Sequence, residues 1–373
     1  MCVAIATNLL PVFLTTFGET FGGQAGLTEE QLGRIPALVF CGFLTGIAVT
    51  GPLADRWGGK KFVLGGLVAI CVGLVMLAAA WQYGTLLASA FLMGFGSGML
   101  EVILSPIVAA LQPHRRTTAL SWLHSFYCIG AVCTVLIGSA GLYLHVPWRA
   151  VALGIIAVPT FFLLCFLPIT LPPMVHEDAE SESLRSLIGH KYLLATLVLI
   201  CLGGATELGM AQWLPAHAER GLGYTKGAAA LVLVAFSLAM VAGRVSFGFI
   251  VHHMHGTTLM ITCCSLSAAL IPVAAFVHFT PVVLAACVAL GFLVSCFWPT
   301  SLGLAGDRFP GGGASMYALL AIFGNTGCMV VPWLVGVVAE RSSLSLGLAM
   351  VTVCPLAMTG ILIWMRRQQK RVV

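Results

Sequence analysis

The sequence predicts an all-α integral membrane protein whose twelve transmembrane helices form two parallel six-helix repeats. Three observations predict this fold class. The 373 residues are 59% hydrophobic and only 8% charged, whereas a soluble domain carries about 25% charged residues. Long apolar runs recur along the chain, as in Phe62–Ala80 and Leu346–Met365. The two halves of the chain also repeat the same residues at a constant offset.

The apolar runs favour helices over a transmembrane β-barrel. In lipid every backbone polar group needs an internal partner, so only helices or a closed barrel can span the bilayer. Barrel strands are short segments of alternating hydrophobicity, whereas these runs are long and unbroken. A helical span needs about 20 mostly apolar residues. Twelve segments qualify: 2–18, 35–54, 62–80, 85–111, 119–143, 149–170, 191–217, 228–251, 257–278, 281–303, 314–338 and 345–365.

One long polar segment divides the spans six and six. It covers 171–190 and contains five charged residues: Glu177, Asp178, Glu180, Glu182 and Arg185. The other connections are mostly short. We therefore expect four parts: an N-terminal six-helix bundle (1–170), a cytoplasmic linker (171–190), a C-terminal six-helix bundle (191–365) and a basic cytoplasmic tail (366–373).

Residues of the two halves coincide when the chain is shifted by 197 positions. Four coincidences occur, each at the same point of its half: Thr28 with Thr225, Gly51 with Gly248, Gly94–Phe95 with Gly291–Phe292, and Gly130 with Gly327. One such match could be chance, but four at one offset indicate two parallel repeats. Transporters built from repeats hold their site between the two halves.

The loop between the second and third spans carries a recognisable motif. It reads Gly51-Pro-Leu-Ala-Asp55-Arg56-Trp-Gly58-Gly-Lys60-Lys61. This resembles the signature loop of the major facilitator superfamily, G-x-L-a-D-R-x-G-R-K, although Gly59 stands where a basic residue is usual. The resemblance implies the twelve-helix major facilitator fold and a gating role for this loop.

The residue types in this loop suit a gate. Gly51 and Gly58 allow tight turns and close helix approach. Asp55 can cap a helix N-terminus or pair with a cation, and can lose that partner when the halves move. The alternative is a basic loop that only sets topology. The expected gating residues are Gly51, Asp55, Arg56, Gly58 and Lys60, with Arg244 and Gly248 in the second half.

Three histidines follow the second-half counterpart of this motif. His252 falls on Asp55 under the shift, and His253 and His255 lie one and three residues after it. Two of the three are adjacent, which is poor geometry for a shared metal. We therefore expect them at the headgroup boundary, and we expect no metal site.

Within the superfamily the chain resembles the fucose permease and related sugar–proton symporters. Four stretches carry this resemblance: Gly98-Met-Leu100-Glu101-Val-Ile-Leu-Ser-Pro106, Ala119-Leu-Ser-Trp-Leu-His124-Ser125-Phe126-Tyr127-Cys-Ile-Gly130-Ala131, Gly243-Arg244 and Trp298-Pro299-Thr300. The resemblance implies sugar transport coupled to protons. One departure weakens it, because the acidic first-span residue of the fucose permease is absent from Asn8-Leu9-Leu10-Pro11.

Two carboxylates lie well inside predicted spans. Ionisable groups at membrane depth are costly and point to function. Glu101 and Glu207 are therefore the proton-coupling candidates, since burial disfavours the charged form of a carboxylate. Glu101 could instead be a neutral packing group. Glycines flank Glu207, so we expect that its helix can break there, and Glu207 could also lie near the outer mouth.

A sugar needs hydrogen-bonding side chains and flat aromatic faces. The candidates for contacting the solute are Asn8, Glu101, His124, Tyr127, Gln212, Trp213, Trp298 and Asn325. His124 could equally be a satisfied core histidine. A helix–helix hydrogen bond is the alternative for Asn325.

The expected function is therefore proton-coupled alternating access for a small polar solute, and we expect a sugar. The alternatives are a proton-coupled exporter of lipophilic compounds and a solute sensor that does not transport. We expect no enzyme activity, no ATP hydrolysis because no Walker-type loop occurs, no cofactor and no nucleic acid. The expected partners are the solute, protons and the lipid of an inner or plasma membrane, around a monomer.

The distribution of basic residues predicts that both termini are cytoplasmic. Five of the 18 Lys and Arg residues fall on the side opposite the termini, and thirteen on the termini side; the five are Arg34, Arg149, Arg220, Lys226 and Arg341. Cytoplasmic loops carry the excess of Lys and Arg. A C-terminal tag should therefore be protected in intact cells and labelled only after permeabilisation. Labelling of intact cells would reverse the assignment.

Overall fold

The computed structural model describes residues 1–111, 116–170, 189–250, 254–309 and 313–369. Within these ranges the chain is all-α. Its helices are α1 (Cys2–Val12), α2 (Leu14–Phe21), α3 (Glu29–Trp57), α4 (Gly59–Ala78), α5 (Tyr83–Leu111), α6 (Arg116–Tyr143), α7 (Trp148–Ile155), α8 (Ala157–Phe166), α9 (Lys191–Ala211), α10 (Leu214–Leu222), α11 (Lys226–Ile250), α12 (Gly256–Phe276), α13 (Thr280–Val294), α14 (Phe297–Arg308), α15 (Gly313–Arg341), α16 (Leu344–Met350) and α17 (Val353–Gln369).

These helices supply the predicted spans. Eleven segments are long and apolar enough to cross a membrane, and the pair α1–α2, bent by 61°, makes a twelfth when it is counted as one span. The prediction of an all-α membrane protein with twelve spans is confirmed. Helical hydrogen bonds within a span are the way to satisfy the backbone in the bilayer core, where water is absent.

Five spans of the described chain are interrupted. The first breaks at Phe13, two residues after Pro11, and the other four break within one turn before a proline. Proline has no N–H and its ring clashes with the carbonyl four residues earlier, so the regular i→i−4 hydrogen bond of the helix is lost there. The breaks and their prolines are Ile156 before Pro159, Gln212–Trp213 before Pro215, Ser295–Cys296 before Pro299, and Val351–Thr352 before Pro355. Tighter i→i−3 hydrogen bonds close three of these turns: Ile156 to Leu153 at 3.2 Å, Trp213 to Met210 at 3.1 Å and Val351 to Leu348 at 3.0 Å.

The expected break at Glu207 is wrong. Helix α9 runs without interruption from Lys191 to Ala211, and the chain breaks only at the turn before Pro215. The glycines near Glu207 serve helix packing instead. A Cβ atom on Gly204 would lie 2.6 Å from the Gly324 carbonyl oxygen and 2.8 Å from the Cys328 sulfur, so glycine lets α9 approach α15 closely.

The first shared residue of the repeats acts as a helix cap in both halves. The Thr28 hydroxyl accepts a hydrogen bond from the Gln31 amide at 3.2 Å, at the start of α3. The Thr225 hydroxyl accepts one from the Ala228 amide at 3.4 Å, at the start of α11. Each threonine satisfies a donor that the helix itself leaves unpaired.

Shared glycines make equivalent contacts in the two repeats. A Cβ atom on Gly94 would meet the Val39 carbonyl oxygen, and one on Gly291 would meet the Phe236 carbonyl oxygen. Gly291 and Phe236 each lie 197 positions after Gly94 and Val39, respectively. Gly130 and Gly327 match less closely, since a Cβ atom on Gly130 would meet the Met1 backbone and the Ala4 Cβ atom, and one on Gly327 would meet the Cys201 carbonyl oxygen. Equivalent backbones therefore touch at Gly94 and Gly291, as expected for membrane helices packed through small residues.

The chain divides into two compact units. The first contains residues 1–176 with 218–234, and the second contains 177–217 with 235–373. In the first unit, α3 and α4 pack on α5, and α1 packs on α6. In the second, α9 packs on α15, and α12 packs on α13 and α17. Most of the predicted linker, 171–188, lies outside the described residues, so the boundaries of the predicted bundles stay a prediction.

Gly94 and Gly291 should be intolerant of even one methyl group. We expect Gly94→Ala and Gly291→Ala each to lower the free energy of unfolding by about 1–3 kcal/mol, because the new Cβ atom overlaps a neighbouring carbonyl. Thermal melting of the purified protein would measure this. Gly360→Ala is the control, since open space surrounds that position in α17. An equal loss in the control would remove the packing explanation.

Candidate functional site

An ion pair lies inside the second unit. Glu207 of α9 and Arg244 of α11 approach to 3.6 Å between Oε1 and Nη2. Glu207 is buried, and the Arg244 side chain is about one quarter exposed, at 26%. The same Nη2 atom lies 3.9 Å from the Met240 sulfur, one helical turn earlier. A buried charge without a partner is very costly, so each of these residues offsets the burial of the other.

The pair joins residues to which the sequence assigned separate roles. Glu207 was predicted as a proton site and Arg244 as part of a gate. They are 37 positions apart, on different helices, and no local pattern links them. One signal was available, because ionisable residues inside membrane spans usually pair with one another.

A small polar cluster lies in the first unit, where α1 packs on α6. The Asn8 amide donates to the Thr7 hydroxyl oxygen at 2.9 Å and to the Ala4 carbonyl at 3.0 Å. The Thr7 and Tyr127 hydroxyls lie 3.2 Å apart. The structure thus brings together the predicted Asn8 and Tyr127. It adds Thr7, which sequence reasoning missed because a helical threonine commonly bonds only to its own backbone.

Glu101 and Trp298 occupy equivalent positions of the two repeats, 197 residues apart. Glu101 is half-buried on α5. Trp298, on α14, packs so closely on Gly324 that a Cβ atom there would collide with the indole ring. The first repeat therefore carries a carboxylate at the sequence position where the second repeat carries an aromatic ring.

Three other predicted contact residues are enclosed. Trp213 is fully buried, and its indole N–H donates to the Pro332 carbonyl at 2.9 Å, so its ring offers no face to a solute in this conformation. Gln212 is buried beside it at the helix break. Asn325 is buried and donates to the Ala321 carbonyl at 2.8 Å, one turn back in α15 and not to another helix. The His124 side chain lies outside the described part.

The gating motif is only partly described. Gly58 has a φ of 82° between α3 and α4, a conformation that favours glycine, as expected for a tight turn. The Lys60 ammonium donates to the Leu167 carbonyl at 2.7 Å, just after α8. Gly51 differs from expectation: it lies within α3 with nothing near its added Cβ atom, so it makes no turn or close approach. The side chains of Asp55 and Arg56, and the packing at Gly248, lie outside the described part.

The histidine stretch is only partly described. His252 and His253 lie outside the described residues. Among the residues that are described, no group of three or more His, Cys, Asp or Glu side chains could hold a metal ion.

Comparison with known proteins identifies the family. The model of the Major Facilitator Superfamily matches residues 1–332. The chain belongs to the Major Facilitator Superfamily. It is therefore a multi-pass membrane transporter and not an enzyme, and the predicted membership of this superfamily is confirmed.

Two curated members of the superfamily illustrate its range. The chain is 27% identical over 377 residues to the 3-(3-hydroxy-phenyl)propionate transporter of Escherichia coli (strain K12), covering 94% of this chain and 87% of that one. It is 25% identical over 240 residues to the multidrug resistance protein MdtL of E. coli O81 (strain ED1a), covering 63% and 61%.

A solved structure of the superfamily shows the same fold. A crystal structure of the E. coli fucose:proton symporter FucP matches with a TM-score of 0.67 at 20% identity, over 97% of this chain and 95% of that one. The predicted resemblance to this symporter is therefore confirmed at the level of the fold.

The Glu207–Arg244 pair should behave as one energetic unit. We expect Arg244→Met to destabilise the protein by about 3–5 kcal/mol, because it leaves a buried carboxylate without its partner. Combining it with Glu207→Gln should restore part of that loss. Thermal or denaturant melting of both single variants and the double variant forms a mutant cycle. Strictly additive losses would mean that the two side chains do not interact.

Proposed function

We propose that this protein is a secondary active transporter that carries a small organic acid together with protons by alternating access. The single observation that carries the proposal is the buried Glu207–Arg244 pair. A proton relay needs a carboxylate at membrane depth, and an anionic solute needs a cation there. This pair provides both within 3.6 Å.

In the proposed mechanism, the Glu207 carboxylate and the solute carboxylate compete for the Arg244 guanidinium. When Glu207 takes up a proton it becomes a neutral acid and no longer balances Arg244. A solute carboxylate can then bind Arg244, whose planar fork of N–H donors matches a carboxylate. One proton and one anion enter together, so the net charge of the site stays unchanged. Release of both on the other side restores the original pair.

The solute class is supported by a relative as well as by Arg244. The E. coli K12 relative that aligns over 94% of this chain is named for 3-(3-hydroxyphenyl)propionate, an aromatic carboxylate. We therefore propose an aromatic carboxylic acid as the solute. The membrane is proposed to be the inner or plasma membrane, with both termini cytoplasmic and the protein monomeric.

A sugar is the second candidate, favoured by the cluster of Asn8, Thr7 and Tyr127 in the first unit. Its amide and hydroxyl groups are neutral donors and acceptors of the kind that bind sugar hydroxyls. This was the expectation from sequence. Export of lipophilic compounds and sensing without transport are the remaining alternatives.

Ligand binding separates these candidates. Purified protein would be melted with 3-(3-hydroxyphenyl)propionate, with its neutral amide, with fucose and with a lipophilic cation. A specific ligand at about 100 times its Kd stabilises by about 2.7 kcal/mol. We expect the carboxylate to stabilise the wild type and the amide not to. Stabilisation by fucose alone favours a sugar carrier, and by the cation alone a multidrug exporter.

Transport assays test proton coupling directly. In proteoliposomes we expect Glu207→Gln to abolish uptake driven by a pH gradient while counterflow of solute persists. Glutamine keeps the size and hydrogen bonding of the protonated acid but cannot titrate, so the loaded carrier still exchanges solute while the empty carrier cannot reset.

Glu101→Gln is the matched comparison, since it neutralises the other carboxylate that the sequence predicts as a proton site. If it abolishes pH-driven uptake and Glu207→Gln does not, the proton resides on the first repeat. If neither change matters, the protein is a uniporter. Binding without any uptake or counterflow would indicate a sensor.

A further inference from the structure

We propose that the protein binds the phosphate of a membrane phospholipid in a cavity at the membrane surface, apart from the Glu207–Arg244 pair. The cavity has a volume of about 710 Å³, within the range of about 300–1,000 Å³ that is usual for pockets that hold small ligands. Every residue that lines it belongs to the first compact unit. The proposal does not depend on which solute is carried.

The cavity lies where three membrane spans end. Its wall contains the last residue of the candidate span Phe126–Tyr143 and the first residues of the candidate spans Trp148–Phe166 and Lys226–Phe247. Span ends mark the boundary between the hydrocarbon core and the headgroups, where Trp and Tyr are enriched. Lipid phosphates lie at this depth. The fifth span ends here, on the side opposite the termini, so with cytoplasmic termini the lipid belongs to the outer leaflet.

The polar residues of the wall are hydrogen-bond donors. Five of the ten lining residues carry an N–H or O–H group on the side chain, and none of the ten is acidic; the five are Thr16, Tyr143, His145, Thr225 and Lys226. Ammonium, imidazole and hydroxyl groups donate to anions, and a phosphate offers several acceptor oxygens. The wall therefore favours an anionic ligand.

Lys226 retains donors for such a ligand. Its ammonium pairs with Glu19 of α2, which is not part of the cavity wall. An ammonium has three N–H donors, so this pair leaves others available. Lys226 is also the first residue of α11, where a cation opposes the helix dipole. An anion in the cavity would offset that unfavourable interaction.

Two hydroxyls of the wall can also donate. The buried Thr16 hydroxyl oxygen has no hydrogen-bond partner among the described residues, which is unfavourable. Rotation about χ1 exchanges the hydroxyl and methyl groups of threonine and so offers another direction for the O–H. The Thr225 hydroxyl accepts from the Ala228 amide at 3.4 Å, which leaves its own proton to donate. Phosphate oxygens can accept from both.

The turn after α6 places an imidazole on the wall at a conformational cost. Among the described residues other than glycine, His145 alone has a positive φ, of 56°. It follows the end of α6 at Tyr143, where glycine is the usual residue because it adopts this conformation without strain. Glycine would end the helix equally well but would contribute no side-chain donor. Ligand binding at the cavity therefore explains the histidine.

Close packing holds the walls in place. The Ser139 hydroxyl of α6 donates to the Gly227 carbonyl of α11 at 2.9 Å. A Cβ atom on Gly227 would lie only 3.2 Å from the Tyr143 amide nitrogen. The buried Trp148 ring meets the Phe17 ring edge-on, with 5.1 Å between their centroids. The cavity is thus formed before a ligand enters, which lowers the cost of binding.

Exposed apolar side chains continue from the cavity towards the membrane. Ile137 is 46% exposed and lies six residues, or about 9 Å, before Tyr143 along α6. Leu231 is 49% exposed and lies five residues after Lys226 along α11. A lipid whose phosphate occupies the cavity can cover these side chains with its acyl chains, whereas a soluble phosphate leaves them bare. The observations therefore favour a lipid.

Binding of defined lipids tests the proposal. Native mass spectrometry of the purified protein in dodecyl maltoside would measure bound dioleoyl phosphatidylglycerol over a concentration series. We expect saturable binding that dioleoylglycerol, with the same chains but no phosphate, does not reproduce. Lys226→Gln should weaken binding about tenfold and Thr16→Val about threefold, since a charged donor contributes more than a neutral one. Equal binding of the two lipids would overturn phosphate recognition.

Each variant has a matched control. Glu19→Gln breaks the same ion pair as Lys226→Gln but leaves the cavity wall intact. Thr20→Val removes a hydroxyl of the same helix that donates to the Thr16 carbonyl and does not line the cavity. Both controls should bind within about twofold of the wild type. Losses equal to those of the cavity variants would overturn the site. If Lys226→Gln fails to fold in a thermal melt, the two threonine variants decide.

Cross-linking locates the lipid and separates it from other anions. A phosphatidylglycerol that carries a diazirine on its headgroup would be photoactivated with the protein in the same micelles, and the labelled peptides mapped. We expect label within 142–148 and 225–227, undiminished by excess glycerol 3-phosphate or 3-(3-hydroxyphenyl)propionate. Competition by the first would identify a soluble phosphate ligand, and by the second a solute subsite. Either result, or label only elsewhere, would overturn the lipid site. Neither measurement needs transport, so failure of the proposed function would be distinguishable.

Discussion

The absence of water from the bilayer core is the constraint on which the rest of the structure depends. Every backbone N–H and C=O must find a partner within its own span, so the described chain is helical throughout its spans. Interruptions appear where proline removes a donor, as before Pro159 and Pro299, and tighter turns close several of those gaps. In lipid the hydrophobic effect does not drive helices to associate. Close van der Waals packing at glycines stabilises the helix contacts instead.

The same constraint governs the charges. A carboxylate or guanidinium inside the membrane is tolerated when its partner is near, which is how Glu207 and Arg244 are found. At the loops water is available, and the pairs Glu29–Arg220 and Glu19–Lys226 are partly exposed. The buried pair is therefore costly to break, and exchange with a solute carboxylate is the role that we propose for it. The exposed pairs are individually weak, since water and salt screen them.

The two repeats share backbone contacts at equivalent glycines, whereas their polar side chains differ at equivalent positions. Gly94 and Gly291 receive the same neighbour in each repeat, Val39 and Phe236 respectively. Positions that project polar groups diverge under the same offset: Glu101 corresponds to Trp298, and Glu29 corresponds to Lys226. Contacts between backbones are thus retained where a methyl group would collide, whereas side chains at the site and at the loops are altered.

The sequence by itself determined the class, the twelve spans and the repeat, because hydrophobic length and a constant offset are local or one-dimensional signals. It also identified Glu101, Glu207, Asn8 and Tyr127 as polar groups at membrane depth. Only the tertiary structure decided which of them meet. It brought Arg244 to Glu207, added Thr7 between Asn8 and Tyr127, enclosed Trp213, and moved the break of the seventh span from Glu207 to the turn before Pro215. Pairing depends on which helices pack together and at what depth in the bundle. A spacing of 37 or 191 positions in the sequence does not predict such packing.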